Sequence, residues 1–206
     1  MSDANKTQPP SEPKIVFDFD PHNLPEGYLE AVGLVAMAAA QTEDSMKDLL
    51  GGLLGIDNVD TLAVATHMSF PLKDQIIRAL AELRADQAAF VDSLDDLLDT
   101  VKEAMDRRNV LVHNPLMLNP ETNEVFSHRL KARGSLQLEL KPITVDEIEQ
   151  DAALIYEVGL SIIQFMNAFE IEYRYRQTPL MEPLNRRKTA RAQRREAAAD
   201  ETCAAK

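Results

Sequence analysis

Three long stretches of apolar residues at helical spacing most constrain the fold of this chain. They predict helices over about residues 26–50 and 86–112, and a third that opens at Thr144 and stops before Pro179. In each, apolar side chains recur at steps of three, four or seven, so they share one helix face. The stripes are Leu29, Val32, Ala36, Ala39, Met46 and Leu50; Phe90, Leu94, Leu97, Val101 and Met105; and Ile148, Ala152, Ile155, Gly159, Ile162, Met166 and Phe169. We therefore expect an all-α fold.

Shorter elements are expected between these helices. Gly51, Gly52 and Gly55 are expected to end the first helix. A short helix is predicted over residues 59–67, and another begins at Pro71. The stripe of this second short helix is Leu72, Ile76, Leu80 and Leu83. Leucines alternate with polar residues over 136–140, which predicts a strand of a small β-hairpin between the last two long helices, with residues 125–130 as its partner.

The length of 206 residues suits one domain with tails. We expect a disordered arm over residues 1–13, a single helical domain over 14–177 and a flexible tail over 178–206 with a basic run at 186–195. The net charge is −12, and residues 1–185 hold 15 Lys and Arg against 31 Asp and Glu. Such an acidic body argues against broad, sequence-independent binding of duplexes, although a small local phosphate site remains compatible with it.

The single cysteine, Cys203, excludes an internal disulfide and a cysteine-based metal site. This usage is typical of a reducing compartment, and we expect a cytoplasmic protein. Residues 1–13 contain no apolar signal core. The longest apolar run, residues 29–40, is interrupted by Glu30 and is too short to span a bilayer, so no membrane partner is expected.

A group of polar residues ends the second long helix. The proline at position 115 disfavours helix at Asn114, so the helix should end near His113. Asn109 and His113 continue, at steps of four, the apolar face of Met105. Arg108 lies roughly 140° around the helix from His113. Its long side chain would have to curl towards the same site or reach a site shared with a second chain.

Arginine, asparagine and histidine together suit the cleavage of a phosphodiester. An imidazole titrates near neutrality and can take a proton from an attacking hydroxyl or give one to a leaving oxygen. A guanidinium binds phosphate and stabilises charge that develops in the transition state, and an amide can orient either group. No metal or other cofactor is required, and attack by a ribose 2′-hydroxyl would make RNA the substrate. The alternative is structural, because Arg and His near a helix C-terminus also oppose the helix dipole and cap free carbonyls.

Glu43 falls inside the apolar stripe of the first helix, four residues after Ala39 and three before Met46. A carboxylate on a core-facing stripe needs a partner. Arg108 or His113 is a candidate partner, and the contact would also set the protonation state of the imidazole. The alternative is a solvent-facing position at the edge of a wide stripe.

The stretch Arg108-Asn109-x-x-x-His113 resembles the Arg-Asn-x-x-x-His signature of the HEPN superfamily, whose helical-bundle domains occur in prokaryotic toxins, RNA-cleaving defence proteins and nucleotide-binding modules. The order of elements over residues 26–177 is similar too. It comprises a first helix with an embedded glutamate, a helical pair containing Met-Ser-Phe-Pro-Leu-Lys, a long helix ending in the motif, a hairpin and a last helix. Bacterial members commonly have glycine and an aromatic residue after the histidine, where this chain has Asn114, Pro115 and Leu116. We therefore expect a different pocket mouth.

The resemblance implies an up-and-down HEPN-like helical bundle and a metal-independent RNA endonuclease of the toxin or defence type. It implies that His113 is the acid and base, that Arg108 is the phosphate ligand and that Asn109 is the orienting group, with Glu43 as our additional candidate. The family usually pairs two protomers whose motifs face one cleft, so we expect a homodimer that acts on RNA, with an antitoxin or another protein as a further candidate partner. The alternative is a non-catalytic helical module that binds a partner protein or a nucleotide.

Two groups of acidic residues lie outside the motif, one near residue 20 and one on the second long helix. The apolar stretch ending in Asp18-Phe-Asp20 resembles the first motif of haloacid-dehalogenase-like phosphatases, but that fold needs alternating strands and helices. Asp18, Asp20 and His22 also have the spacing of metal ligands, although a short acidic cluster before a proline is more typical of a loop. The aspartates of the long helix are expected on its solvated face: Asp92, Asp95, Asp96 and Asp99.

Overall fold

A computed structural model describes residues 16–83, 88–132, 136–176 and 192–194. Within them lie the helices α1 (Tyr28–Leu54), α2 (Asn58–Ala65), α3 (Phe70–Glu82), α4 (Ala88–His113) and α5 (Val145–Ala168), preceded by a 3-10 turn, Pro21–Asn23. The strands β1 (Leu116–Asn119), β2 (Glu124–Ala132) and β3 (Leu136–Pro142) lie between α4 and α5. This mostly helical chain with a small antiparallel sheet confirms the predicted fold class at that level. The predicted arm and nearly all of the predicted tail lie outside the described residues.

The core forms where α1, α4 and α5 pack together, with α1 lying most extensively against α5. The Thr42 hydroxyl lies 2.8 Å from the carbonyl oxygen of Ile155, and a Cβ on Gly159 would meet that hydroxyl at 2.8 Å. The two helices can therefore approach closely only because position 159 is glycine. This contact turns Thr42 towards α5 and leaves the next residue, Glu43, on a face directed at α3 and α4. Among the described helices, none has both the length and the apolar character needed to cross a membrane.

The buried face of α1 differs from the predicted stripe in its first half. Leu29 is 55% exposed and Ala36 is also exposed, whereas Ala31, Val35 and Ala38 are buried. Alanine and other apolar residues surround this part of the helix, so spacing alone left its rotation about the axis ambiguous.

The prediction that Gly51 and Gly52 end the first helix was wrong. Helix α1 continues to Leu54 and ends at Gly55, whose φ of +70° lies in the left-handed region that favours glycine. A Cβ at position 51 would lie 2.6 Å from the ring of Tyr173, and one at position 52 would lie 2.6 Å from the side chain of Ile171. These two glycines therefore allow the segment after α5 to cross the helix.

The sheet begins directly after α4. The predicted hairpin is confirmed as β2 and β3, and β1 is an additional strand that pairs with β2 in register from Leu116 and Ser127 onwards. Asp18 and Leu118 exchange backbone hydrogen bonds of 2.8 and 2.9 Å, which attach the chain before α1 to β1. A strand of four residues is too short to show a clear alternation in sequence, so β1 was missed.

Two predicted helix boundaries are confirmed: the end of α4 and the beginning of α5. Helix α4 ends at His113, two residues before the proline that disfavours its continuation. Helix α5 begins after Thr144 with a capping box, in which the Thr144 side chain accepts from the Glu147 backbone and Glu147 accepts from the Thr144 backbone. The motif residues therefore occupy the last turns of α4, next to the first strand of the sheet.

Candidate active site

The three motif side chains meet at the end of α4. Nη1 of Arg108 donates to Oδ1 of Asn109 at 3.0 Å and lies 3.3 Å from Nε2 of His113. The arginine thus curls around the helix to its own histidine. The offset of Arg108 was one of two reasons to expect a second chain, beside the family resemblance, and this contact removes it, because one chain brings the motif together. The dimer itself stays a prediction.

The contact between arginine and histidine favours one form of the imidazole. A guanidinium has only donors, so His113 Nε2 can accept its N–H only when that nitrogen is unprotonated. The neutral ring then carries its proton on Nδ1. His113 is exposed to solvent, so this ring is accessible in the form that can accept a proton.

The positive charge of Arg108 is not neutralised locally. The side chain is half-buried, and its Nε is buried without a hydrogen-bond partner. No carboxylate of the described residues forms a salt bridge with it; the Nη1 contacts are to a neutral amide and an imidazole. Because no carboxylate of the described residues pairs with this guanidinium, it is suited to receive an anion.

The other charges on this part of α4 are paired with each other. Lys102 donates to Asp106 at 3.0 Å, and this hydrogen bond raises the pKa of Lys102. Arg107 donates to Glu103 and to Asp151 on α5, each at 2.9 Å, and these bonds raise the pKa of Arg107. The cations beside the motif are therefore already compensated.

The motif lies between two open cavities. Asn109 and His113 line a cavity of about 620 Å³ beside α4, together with Asn114. Asn109 also lines a second cavity of about 420 Å³, where it is joined by Arg108 and by Glu43 from α1. The remaining walls of the second cavity are Phe70, Pro71, Asp74, Gln75, Lys102, Met105 and Asp106. Asn109 therefore connects two spaces that a bound molecule could enter.

Of the two positions that the sequence suggested for Glu43, the one in contact with Arg108 or His113 is not found. The residue is half-buried, yet its carboxylate forms no hydrogen bond or salt bridge with another described residue. It lies instead on the wall of the cavity that Arg108 lines. The rotation of α1 that directs Thr42 to α5 accounts for this placement.

Lys73 is a residue near the site that the sequence analysis missed. It is only 4% exposed and lies on the buried face of α3 with Ile77 and Ala81, whereas the predicted stripe residues Leu72 and Leu83 are exposed. Burial lowers the pKa of Lys73, and the negative charge of Glu43 partly offsets this effect. The spacing of four between Lys73, Ile77 and Ala81 was the signal, but a lysine was not considered for a buried stripe.

Asn114, which follows the histidine where bacterial HEPN members commonly have glycine, has a structural role. The side-chain amide of Asn114 donates to the carbonyl oxygen of Val110 at 2.7 Å and so caps the end of α4.

The side chain of Asp18, in the acidic cluster before α1, forms hydrogen bonds with its own neighbours in sequence. Asp18 accepts from the Asp20 backbone and from the Asn23 side chain, each at 2.8 Å, in agreement with a loop. Within the described ranges, no group of three or more His, Cys, Asp or Glu is placed to hold a metal ion.

Comparisons of the chain with protein-family models, curated proteins and solved structures give no match. The similarity to HEPN domains therefore stays a prediction, based on the motif and on the order of elements. The geometry at the end of α4 must support any function on its own.

Proposed function

We propose that this chain is a metal-independent RNA endonuclease of the HEPN type, acting in the cytoplasm with Arg108, Asn109 and His113. The observation that supports it is that Arg108 touches an exposed histidine and has no carboxylate partner among the described residues. A purely structural motif would have both side chains buried and fully hydrogen-bonded. The exposed imidazole, and the lack of a carboxylate partner for Arg108 among the described residues, favour the catalytic alternative.

The proposed reaction uses the contact between the two side chains. A scissile phosphate takes the N–H groups of Arg108, which frees Nε2 of His113. That nitrogen accepts the proton of the ribose 2′-hydroxyl, the 2′ oxygen attacks phosphorus, and the bond to the 5′ oxygen breaks. The guanidinium stabilises the charge that develops on the phosphate oxygens. The products are a 2′,3′-cyclic phosphate and a 5′-hydroxyl end, after the leaving oxygen has taken up a proton.

We propose further that the enzyme acts as a homodimer, in keeping with the family resemblance. A second imidazole in a shared cleft would supply the proton for the leaving 5′ oxygen. Light scattering at micromolar concentration should give the mass of a dimer. A monomer under all conditions that support cleavage would contradict this part of the proposal and leave solvent as the proton source.

The nuclease proposal is tested with purified protein and RNA in EDTA. Wild-type protein should cut the RNA, and His113→Ala should lose about 10²–10⁴-fold in rate, because the acid and base group is gone. Circular dichroism should show the same helical content for both proteins, since the imidazole is exposed. Equal cleavage by the two proteins would mean that the site is wrongly assigned or that a contaminating nuclease is present.

A second candidate function is based on a groove between α1 and α5. This groove of about 640 Å³ is mostly apolar and is lined by Leu34, Met37 and Tyr156, which are 48%, 73% and 44% exposed. Contiguous exposed apolar side chains are typical of protein interaction sites. If wild-type and His113→Ala proteins both leave RNA uncut, a non-catalytic module that binds a partner protein, such as an antitoxin, becomes the better account.

A further inference from the structure

The cavity of about 420 Å³ beside Arg108 is lined by more polar and aromatic groups than the proposed cleavage uses. Its walls come from three helices: Glu43 from α1, Phe70 and Gln75 from α3, and Arg108 and Asn109 from α4. Its volume falls in the usual range for small-molecule sites, which is about 300–1,000 Å³. The proposed reaction uses only the motif residues, so the groups on α1 and α3 are left without a role.

Some polar groups of this cavity are already occupied. Asp74 accepts from Arg78 at 3.2 Å, and Asp106 accepts from Lys102 at 3.0 Å. Among the described residues, neither the Glu43 nor the Gln75 side chain has a hydrogen bond, and Lys73 acts on Glu43 only through its charge, without a salt bridge. The groups that remain free for a ligand are therefore a carboxylate and an amide.

An aromatic ring completes the cavity. Phe70 is half-buried, packs against the core and lines the cavity. Proteins that recognise single-stranded RNA stack unpaired bases on such rings and bond to the Watson–Crick edges of those bases. A cavity with a fixed ring, free polar groups and an adjacent phosphate ligand has the parts of a base-binding subsite.

The free carboxylate indicates which base would fit. A carboxylate has two oxygens that can accept two parallel hydrogen bonds. Guanine offers two adjacent donors on its Watson–Crick edge, N1–H and the 2-amino group. On the same edge adenine and cytosine have one amino group beside a ring acceptor, and uracil has one N–H between two carbonyls. Only guanine matches both carboxylate oxygens.

We infer that this cavity is a guanine-selective subsite next to the scissile phosphate, in which Glu43 accepts from N1–H and the 2-amino group while Phe70 stacks on the base. The inference rests on the proposed function, because Arg108 would hold the phosphate attached to that nucleotide. It adds a specificity-determining carboxylate to a reaction that the motif alone would carry out on any sequence.

The test is calorimetric titration of the intact protein with the 3′-monophosphates of guanosine, inosine, adenosine, cytidine and uridine. Guanosine monophosphate should bind about tenfold or more tightly than the adenosine, cytidine and uridine compounds, since one bidentate pair is lost with them. The affinity for inosine monophosphate, which lacks the 2-amino group, should lie between that for guanosine monophosphate and those for the other three nucleotides. Glu43→Gln should remove the preference, whereas Glu30→Gln, an exposed change on the same helix, should retain it.

A second variant tests the stacking contact without a large cavity. Phe70→Leu keeps an apolar side chain but removes the ring, so all five nucleotides should bind more weakly while helical content stays unchanged. Affinity that is equal for all bases, or a guanosine preference that survives Glu43→Gln, overturns the subsite.

The outcomes also separate this inference from the proposed function. If RNA is cut in EDTA with dependence on His113 but without base preference, the nuclease stands and the subsite is wrong. If guanosine monophosphate is selected through Glu43 but RNA is never cut, the subsite stands as a nucleotide site and the nuclease proposal is wrong.

Discussion

Arg107 and Arg108 are neighbours on α4, yet their surroundings differ completely. Arg107 donates to Glu103 and to Asp151, each at 2.9 Å, and so ties α4 to α5. Among the described residues, the guanidinium of Arg108 has polar contacts only with the amide of Asn109 and the imidazole of His113, and its buried Nε has no hydrogen-bond partner. Two identical charges one residue apart thus have different uses. The first stabilises the helix pair, and the second remains available to an anion from outside the chain.

Arg78 extends the comparison to α3. Its guanidinium donates to Asp74 on its own helix and to Asp95 and Asp99 on α4, at 3.2, 2.6 and 2.7 Å. The sequence predicted Asp95 and Asp99 as part of a solvated face. The Asp99 side chain is 75% exposed and that of Asp95 is 49% exposed, and both also bind the guanidinium of Arg78 on α3. Arg78 and Arg107 are therefore structural arginines whose charges are met by carboxylates.

The largest expected effect concerns RNA cleavage by variants of the adjacent pair. Arg108→Ala should lower the single-turnover rate by about 10²–10³-fold, because the phosphate loses its main ligand. Arg107→Ala should change it by less than about tenfold, since the charge of that side chain is already compensated by Glu103 and Asp151. Equal losses from the two substitutions would break the distinction between them.

The next effect concerns stability. Arg78→Ala should lower the free energy of unfolding by about 1–3 kcal/mol, because it leaves three aspartates close together without their shared cation. Arg107→Ala should cost about 0.2–1 kcal/mol, as is usual for exposed ion pairs. Urea denaturation followed by circular dichroism measures both changes. If Arg78→Ala leaves the midpoint unchanged, the bonds of Arg78 to Asp95 and Asp99 do not hold α3 to α4.

The smallest expected effect is a gain in unfolding free energy rather than a loss, and it tests the same comparison of the two arginines. Arg108→Met keeps the apolar stem but removes a buried donor that has no partner, so the unfolding free energy should stay level or rise by up to about 1 kcal/mol. Arg107→Met should lower it under the same conditions. A loss of stability in Arg108→Met as large as that in Arg107→Met would indicate that Arg108 also serves the fold.

The sequence could predict the end of α4 and the common face of Asn109 and His113, since both follow from helical spacing and from one proline. It could not predict which arginine would lack a carboxylate partner, because that depends on how α3, α4 and α5 are rotated relative to one another. The same uncertainty concealed Lys73 and misplaced the first half of the α1 stripe. Spacing specifies which residues share a face, but only packing between helices decides what that face meets.

The most direct test of the account uses two RNA oligonucleotides that differ in one atom. One is all-ribose, and the other carries a single 2′-deoxyribose at the mapped cleavage position; both are incubated with wild-type protein in EDTA. We expect the all-ribose strand to give 2′,3′-cyclic phosphate and 5′-hydroxyl ends, and the deoxy strand to stay intact at that position. Cleavage of the deoxy strand at the same position, or products with 5′-phosphate ends, would contradict attack by the 2′-hydroxyl and the roles given to Arg108 and His113.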